Sequence, residues 1–155
     1  MKSLFCVIML FCLLSTSAYA DTSYLSKYNG YAEILHAPML DENQVKVTGN
    51  YHFYPLEKMT VVFETAINGG IRTGFIFMDD DSGAADFLIS CITMNAFFGK
   101  FSYNYYGTIL QMFLDTRMDY KTVPFNIGID SFQILTSDKG KYSFVYMNND
   151  AKLNE

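Results

Sequence analysis

Asp79-Asp80-Asp81, followed closely by Asp86, is the densest group of carboxylates in the chain. Calcium is the chemistry such a group invites, because that ion takes several carboxylate and carbonyl oxygens from a flexible loop. The spacing argues against it. With Gly83 placed at the glycine of an EF-hand loop, the first and last ligand positions fall on Met78 and Ile89, whose side chains carry no oxygen. Consecutive aspartates on an extended chain also point to opposite sides, so one loop tip offers at most part of a cage. The expectation is a hydrated hairpin tip whose aspartates bond nearby backbone amides. No metal and no cofactor is assigned.

Hydrolytic chemistry needs a base, a nucleophile or two carboxylates at close range. The chain has two histidines, His36 and His52, with no His-x-His or His-x-x-x-His spacing between them. A hydrolase would therefore have to assemble at least two of His36, His52, Glu33, Glu57 and Glu64 from separate segments. Cys91 sits in Phe87-Leu88-Ile89-Ser90-Cys91-Ile92, without the neighbouring cation or histidine that makes a thiolate. It reads as a small buried hydrophobe, and no catalytic residue is assigned. Phe97 to Tyr106 is the most suggestive binding feature. Read as a strand, it places Phe101, Tyr103 and Tyr105 on one side, with Lys100, Asn104 and Tyr106 on the other. Exposed rings of this kind stack on the apolar faces of sugars while phenol hydroxyls bond the rim. A row of aromatics at spacing two equally suits a sheet interior. Tyr103, Asn104, Tyr105 and Tyr106 are the candidate ligand-binding residues.

The elements that must carry these groups begin after an export signal. Lys2 supplies a positive start, Leu4 to Leu14 is an almost uninterrupted apolar run, and Ala18-Tyr19-Ala20 has the small-x-small pattern of a cleavage site. The run is shorter than the roughly 20 residues of a membrane-spanning helix. Residues 1–20 are thus expected to leave as a signal peptide, placing residues 21–155 outside the cytoplasm, periplasmic or secreted, as a single domain. Cys6 and Cys12 would leave with it, so Cys91 has no intramolecular disulfide partner. The full chain has 11 basic and 16 acidic residues, a formal charge of −5, and loss of Lys2 makes it −6. That balance argues against nucleic acid and anionic membrane as partners. No later segment is long and apolar enough to span a membrane as a helix.

Period-two alternation recurs along the remaining chain. Met59, Val61, Phe63, Thr65 and Ile67 share one side of a strand, and Asn68-Gly69-Gly70 supplies a hairpin turn. Ile71, Thr73, Phe75 and Phe77 follow with the same period, and Ser137-Asp138-Lys139-Gly140 marks a later turn before Tyr142, Phe144 and Tyr146. Shorter strands are expected near Tyr31–His36, Val45–Thr48, Asn50–Tyr54 and Phe125–Leu135. The predicted fold is all-β, a two-sheet antiparallel sandwich. The alternative is α+β, with helices near 83–98 and 108–118, the first capped near Ser82 and ended by Gly99.

The order of features from Met59 to Met147 resembles the concanavalin A-like, laminin-G-like jelly rolls. Met59-Thr60-Val61-Val62-Phe63-Glu64 and Thr73-Gly74-Phe75-Ile76-Phe77 resemble paired strands of that family. An aspartate-rich tip, the apolar Phe87-Leu88-Ile89-Ser90 and the aromatic Phe98-Gly99-Lys100-Phe101-Ser102-Tyr103 follow in the same order. The resemblance implies a jelly roll that binds carbohydrate. The chain departs from it in having no tryptophan and no Glu-x-Asp-x-x-Glu strand, which removes the catalytic carboxylates of glucanase members. The functional expectation is a non-enzymatic binding domain for a carbohydrate or cell-envelope component. An acidic inhibitor or immunity-type protein that docks onto a basic partner is the alternative, and a glycan hydrolase of the same fold comes third.

Overall fold

The computed structural model describes residues 23–67, 69–99, 103–118, 124–127, 130–138 and 141–147. Helix α1, Ser23–Leu35, leads through a short 3-10 turn at Glu42–Gln44 into β1, Lys46–Thr48. Strands β2 (Tyr51–Pro55), β3 (Met59–Thr65) and β4 (Ile71–Met78) follow as a meander. A second 3-10 turn, Asp81–Gly83, opens α2 (Ala84–Phe97), which is followed by α3 (Tyr103–Arg117). The last described elements are β5 (Phe125–Ile127), β6 (Asp130–Asp138) and β7 (Lys141–Met147).

All seven strands join one antiparallel sheet in the order β1-β2-β3-β4-β7-β6-β5. The helices cover a single face of it. The ring of Phe98, just past α2, stacks on Tyr146 of β7 at 4.1 Å. Tyr28 of α1 meets Phe63 of β3 at 5.6 Å, and Phe113 of α3 meets Tyr142 of β7 at 5.4 Å. Phe63, Gly74, Tyr146 and Phe132 are successive register partners across four strands, so these contacts fall on one side of the pleat.

The architecture is therefore α+β with one sheet, and the all-β two-sheet sandwich is corrected; the alternative with two helices is the one that fits. The jelly-roll topology implied by the resemblance goes with the sandwich. Three local expectations change for physical reasons. Phe87 to Phe97 forms a helix because α2 lies between α1, α3 and the sheet, so residues on most of its circumference are buried. A helix surrounded by protein has no polar stripe, and its apolar run looks like that of a buried strand. The expected strand at Tyr31–His36 is the end of α1, whose buried Leu25, Tyr28 and Ala32 recur at helical spacing. The strand drawn through Phe97 to Tyr106 is broken by Gly99, which ends α2 with φ 78° and donates to Ala96 O at 2.9 Å.

The hairpins fare as the alternation suggested. Strands β3 and β4 pair across the Gly69 turn, where Ala66 N donates to Gly70 O at 2.7 Å. Strands β6 and β7 pair from Ser131↔Met147 to Asp138↔Lys141.

Candidate binding surface

The face of the sheet opposite the helices carries side chains that alternate with the core residues. Its middle row runs Phe53, Val62, Phe75, Val145, Gln133 across five paired strands. Such strands are apolar on both sides, a pattern usual for sheets buried on two faces. Among the described residues no helix covers the second face. Tyr51 and Phe77 remain 40% and 43% exposed, yet Val62 beneath them is only 2% exposed.

The rings themselves bury Val62. Phe75 and Phe77 stack with centroids 6.0 Å apart and planes 11° from parallel. Tyr51 lies 6.4 Å from both Phe53 and Phe75. Together the four rings and Val62 line a shallow hollow of about 240 Å³. A neighbouring hollow of about 180 Å³ continues across the face over Leu135, Val145 and Met147. Glu64, the carboxylate of the flanking row, is met by the Arg72 guanidinium at 3.5 Å.

One end of this face is acidic. The amide of Asp79 donates to Lys58 O at 3.2 Å, which brings Glu57 and Asp79-Asp80-Asp81 to the end of the sheet where Phe77 lies. These four carboxylate residues are exposed. Their connection is strand-to-helix, which corrects the hairpin tip expected at Asp79–Gly83. Asp80 accepts from the Ser82 amide at 2.8 Å, and bonds from Ser82 hold its carboxyl below the usual aspartate value. Asp81 pairs with Arg117 at 2.7 Å, and Asp86 lies exposed in the first turn of α2. Among the described residues no group of His, Cys, Asp and Glu is arranged to hold a metal ion.

The five hydrolase candidates do not converge. His36 ends α1 in the left-handed region at φ 56°. Its amide donates to Glu33 O, and the Ala37 amide donates to Ala32 O at 2.8 Å, which together make a Schellman cap. His52 is buried on the helix side, where its Nδ1 lies 2.7 Å from the Tyr24 hydroxyl. That hydroxyl is also 2.8 Å from the Tyr54 hydroxyl. Glu64 occupies the opposite face, Glu57 a turn and Glu33 the outside of α1. Cys91 is fully buried, and desolvation pushes its thiol well above the usual value.

The aromatic ligand candidates lie on α3, where consecutive residues turn by about 100°. Tyr105 is half-buried and packs edge-on against Phe125 at 6.0 Å, and Tyr106 is half-buried beside it. The side chains of Tyr103 and Asn104 lie outside the described residues. Beside α1 a further cleft, about 470 Å³, includes Asn29, Asp41 and Glu42. Its Asp41 carboxylate is taken up by the Asn43 amide at 2.9 Å and by Gln44 Nε2 at 3.2 Å.

The open face was missed because the aromatic binding candidates were sought at Tyr103 to Tyr106, and neither side of the Met59 and Ile71 strands was assigned to the surface. The signal was present: Val62, Phe75 and Val145 oppose equally apolar neighbours along their strands. Comparison with protein-family models, characterised proteins and solved structures returns no match.

Proposed function

We propose that the chain is a non-enzymatic protein-docking module, exported from the cytoplasm, that engages its partner through the open face of the sheet. The observation carrying this is the cluster of Tyr51, Phe53, Phe75 and Phe77 around Val62, on a face that no described helix covers. Rings of this kind, rigid and large, are the anchors that dominate protein interfaces. A sugar platform would need polar groups set among the rings to bond hydroxyls, and the hollow between these rings is lined by apolar residues and one tyrosine. The protein-docking alternative is therefore favoured over the carbohydrate one.

The charge supports a basic partner. The full chain carries −5, and Glu57, Asp79 and Asp80 are exposed at the end of the sheet where Phe77 lies, while Asp81 pairs with Arg117 of α3. An acidic end beside an apolar centre accelerates encounter with a cationic surface, an effect that salt screens. Benzoylphenylalanine placed at position 77 of the exported chain, irradiated in its own compartment, should cross-link to a basic protein. The yield should fall as salt rises. Retention of the chain on a polysaccharide array, abolished by Phe77→Ala, would replace the protein partner with a glycan.

A further inference from the structure

The docking reading leaves unsaid what covers the face when no partner is bound. We infer that a second copy of this chain does, with the two open faces packed sheet on sheet as a twofold dimer. This rests on that docking reading and adds to it a competing occupant.

Three observations select a second copy. The first is area. Five strands at about 4.8 Å spacing, each with about three outward residues, give roughly 500 Å² of flat face. Two such faces together bury about 1,000 Å², the size of a weak, reversible interface. The second is chemistry: the middle row holds four apolar residues out of five, and Glu64 of the flanking row is already met by Arg72. A surface of that kind is complementary to itself, as a twofold contact requires. The third is shape. Two twisted sheets stack about 10 Å apart with their alternate side chains interdigitated, and Phe75 and Phe77 offer a stacked pair of rings beside a shallow hollow for such packing.

Charge then chooses the orientation. Strands stacked in opposite directions set Asp79–Asp81 of one copy over the Glu64–Arg72 end of the other, and the two acidic ends are kept apart. Each copy of residues 21–155 carries −6, ten basic against sixteen acidic residues, so self-association works against like-charge repulsion. Salt should strengthen the dimer while it weakens capture of a basic partner. The copy and the partner compete for one face with opposite salt dependence.

The test is sedimentation equilibrium of residues 21–155, at about 50 and about 500 mM sodium chloride, beside Phe77→Asp and Phe77→Tyr. A dimer is expected whose dissociation constant falls about threefold or more between the two salts. Phe77→Asp should raise that constant about a hundredfold by placing unpaired carboxylates in the interface, with its circular dichroism unchanged. Phe77→Tyr should remain dimeric. A dimer indifferent to Phe77→Asp, or weakened by salt, overturns the inference. So does a monomer, and anilinonaphthalene sulfonate then separates the two claims. Dye bound by the monomer and lost in Phe77→Asp leaves an accessible docking face without self-pairing, whereas a monomer that binds no dye ends the docking reading as well.

Discussion

Met94 of α2 lies directly over Gly74 of β4, so close that a Cβ on the glycine would fall on its Sδ and come within 3.0 Å of its Cε. The same Cβ would lie 3.1 Å from Cε2 of Phe98, whose ring is pinned flat against Tyr146. Gly74 is thus the place where the central helix reaches the sheet. Gly74→Ala should cost about 1–3 kcal/mol, the usual penalty of overpacking, read as a lower urea midpoint. Combining it with Met94→Ala should recover part of that loss, because the clash is with that side chain.

His36 holds a backbone conformation that glycine adopts without cost. The left-handed region costs an L-residue roughly 1–2 kcal/mol, partly offset by the greater unfolded-state freedom of glycine. His36→Gly should therefore stabilise the domain by about 0.5–1 kcal/mol, and the β-branched His36→Val should destabilise it. Thermal unfolding of the two variants checks both signs. A catalytic histidine would have no reason to improve on removal.

The buried phenols predict an alkaline limit. Burial raises Tyr146 above the ordinary value of 10.0, and the neighbouring Asp130 carboxylate, which accepts its hydroxyl at 3.2 Å, adds to the shift. Burial raises Tyr28 and Tyr54 as well. A folded-state value above the unfolded one means the contribution is complete below pH 10.0 and is lost as pH rises through the folded value. Denaturant midpoints should fall steeply above that pH, and Tyr146→Phe should flatten the fall.

The aspartate turn predicts the opposite limb. Bonds from the side chain and amide of Ser82 lower Asp80 from its ordinary 3.8, so its contribution is full above that value and lost as pH falls through the folded one. Asp80→Ala should melt below the parent at neutral pH. The two melting temperatures should converge in acid, and a difference that persisted there would show that the carboxylate was not its source.

How much of this was legible in the chain differs by element. Met59 to Thr65 and Ile71 to Met78 were readable as a hairpin, because period-two alternation and the glycine turn are local properties. Gly99 was readable as a stop only in the helical alternative, since the favoured strand ran through it. Phe87 to Phe97 was not, since a helix buried among two helices and a sheet loses the polar stripe that distinguishes it. The Tyr24–His52–Tyr54 cluster could not be foreseen, because 28 residues separate Tyr24 from His52 and only the packing of α1 on β2 joins them.

Residue order alone settled the acidity, the solitary Cys91 of the described domain, the hairpin strands and the want of any histidine pair at metal-binding spacing. Those follow from composition and from the two-residue pleat. Which apolar side of each strand faces inward was decided only in three dimensions. Both sides of β2, β3, β4 and β7 carry apolar groups, and it is the docking of α2 over Gly74 that makes one side the core and leaves Tyr51, Phe53, Phe75 and Phe77 facing out.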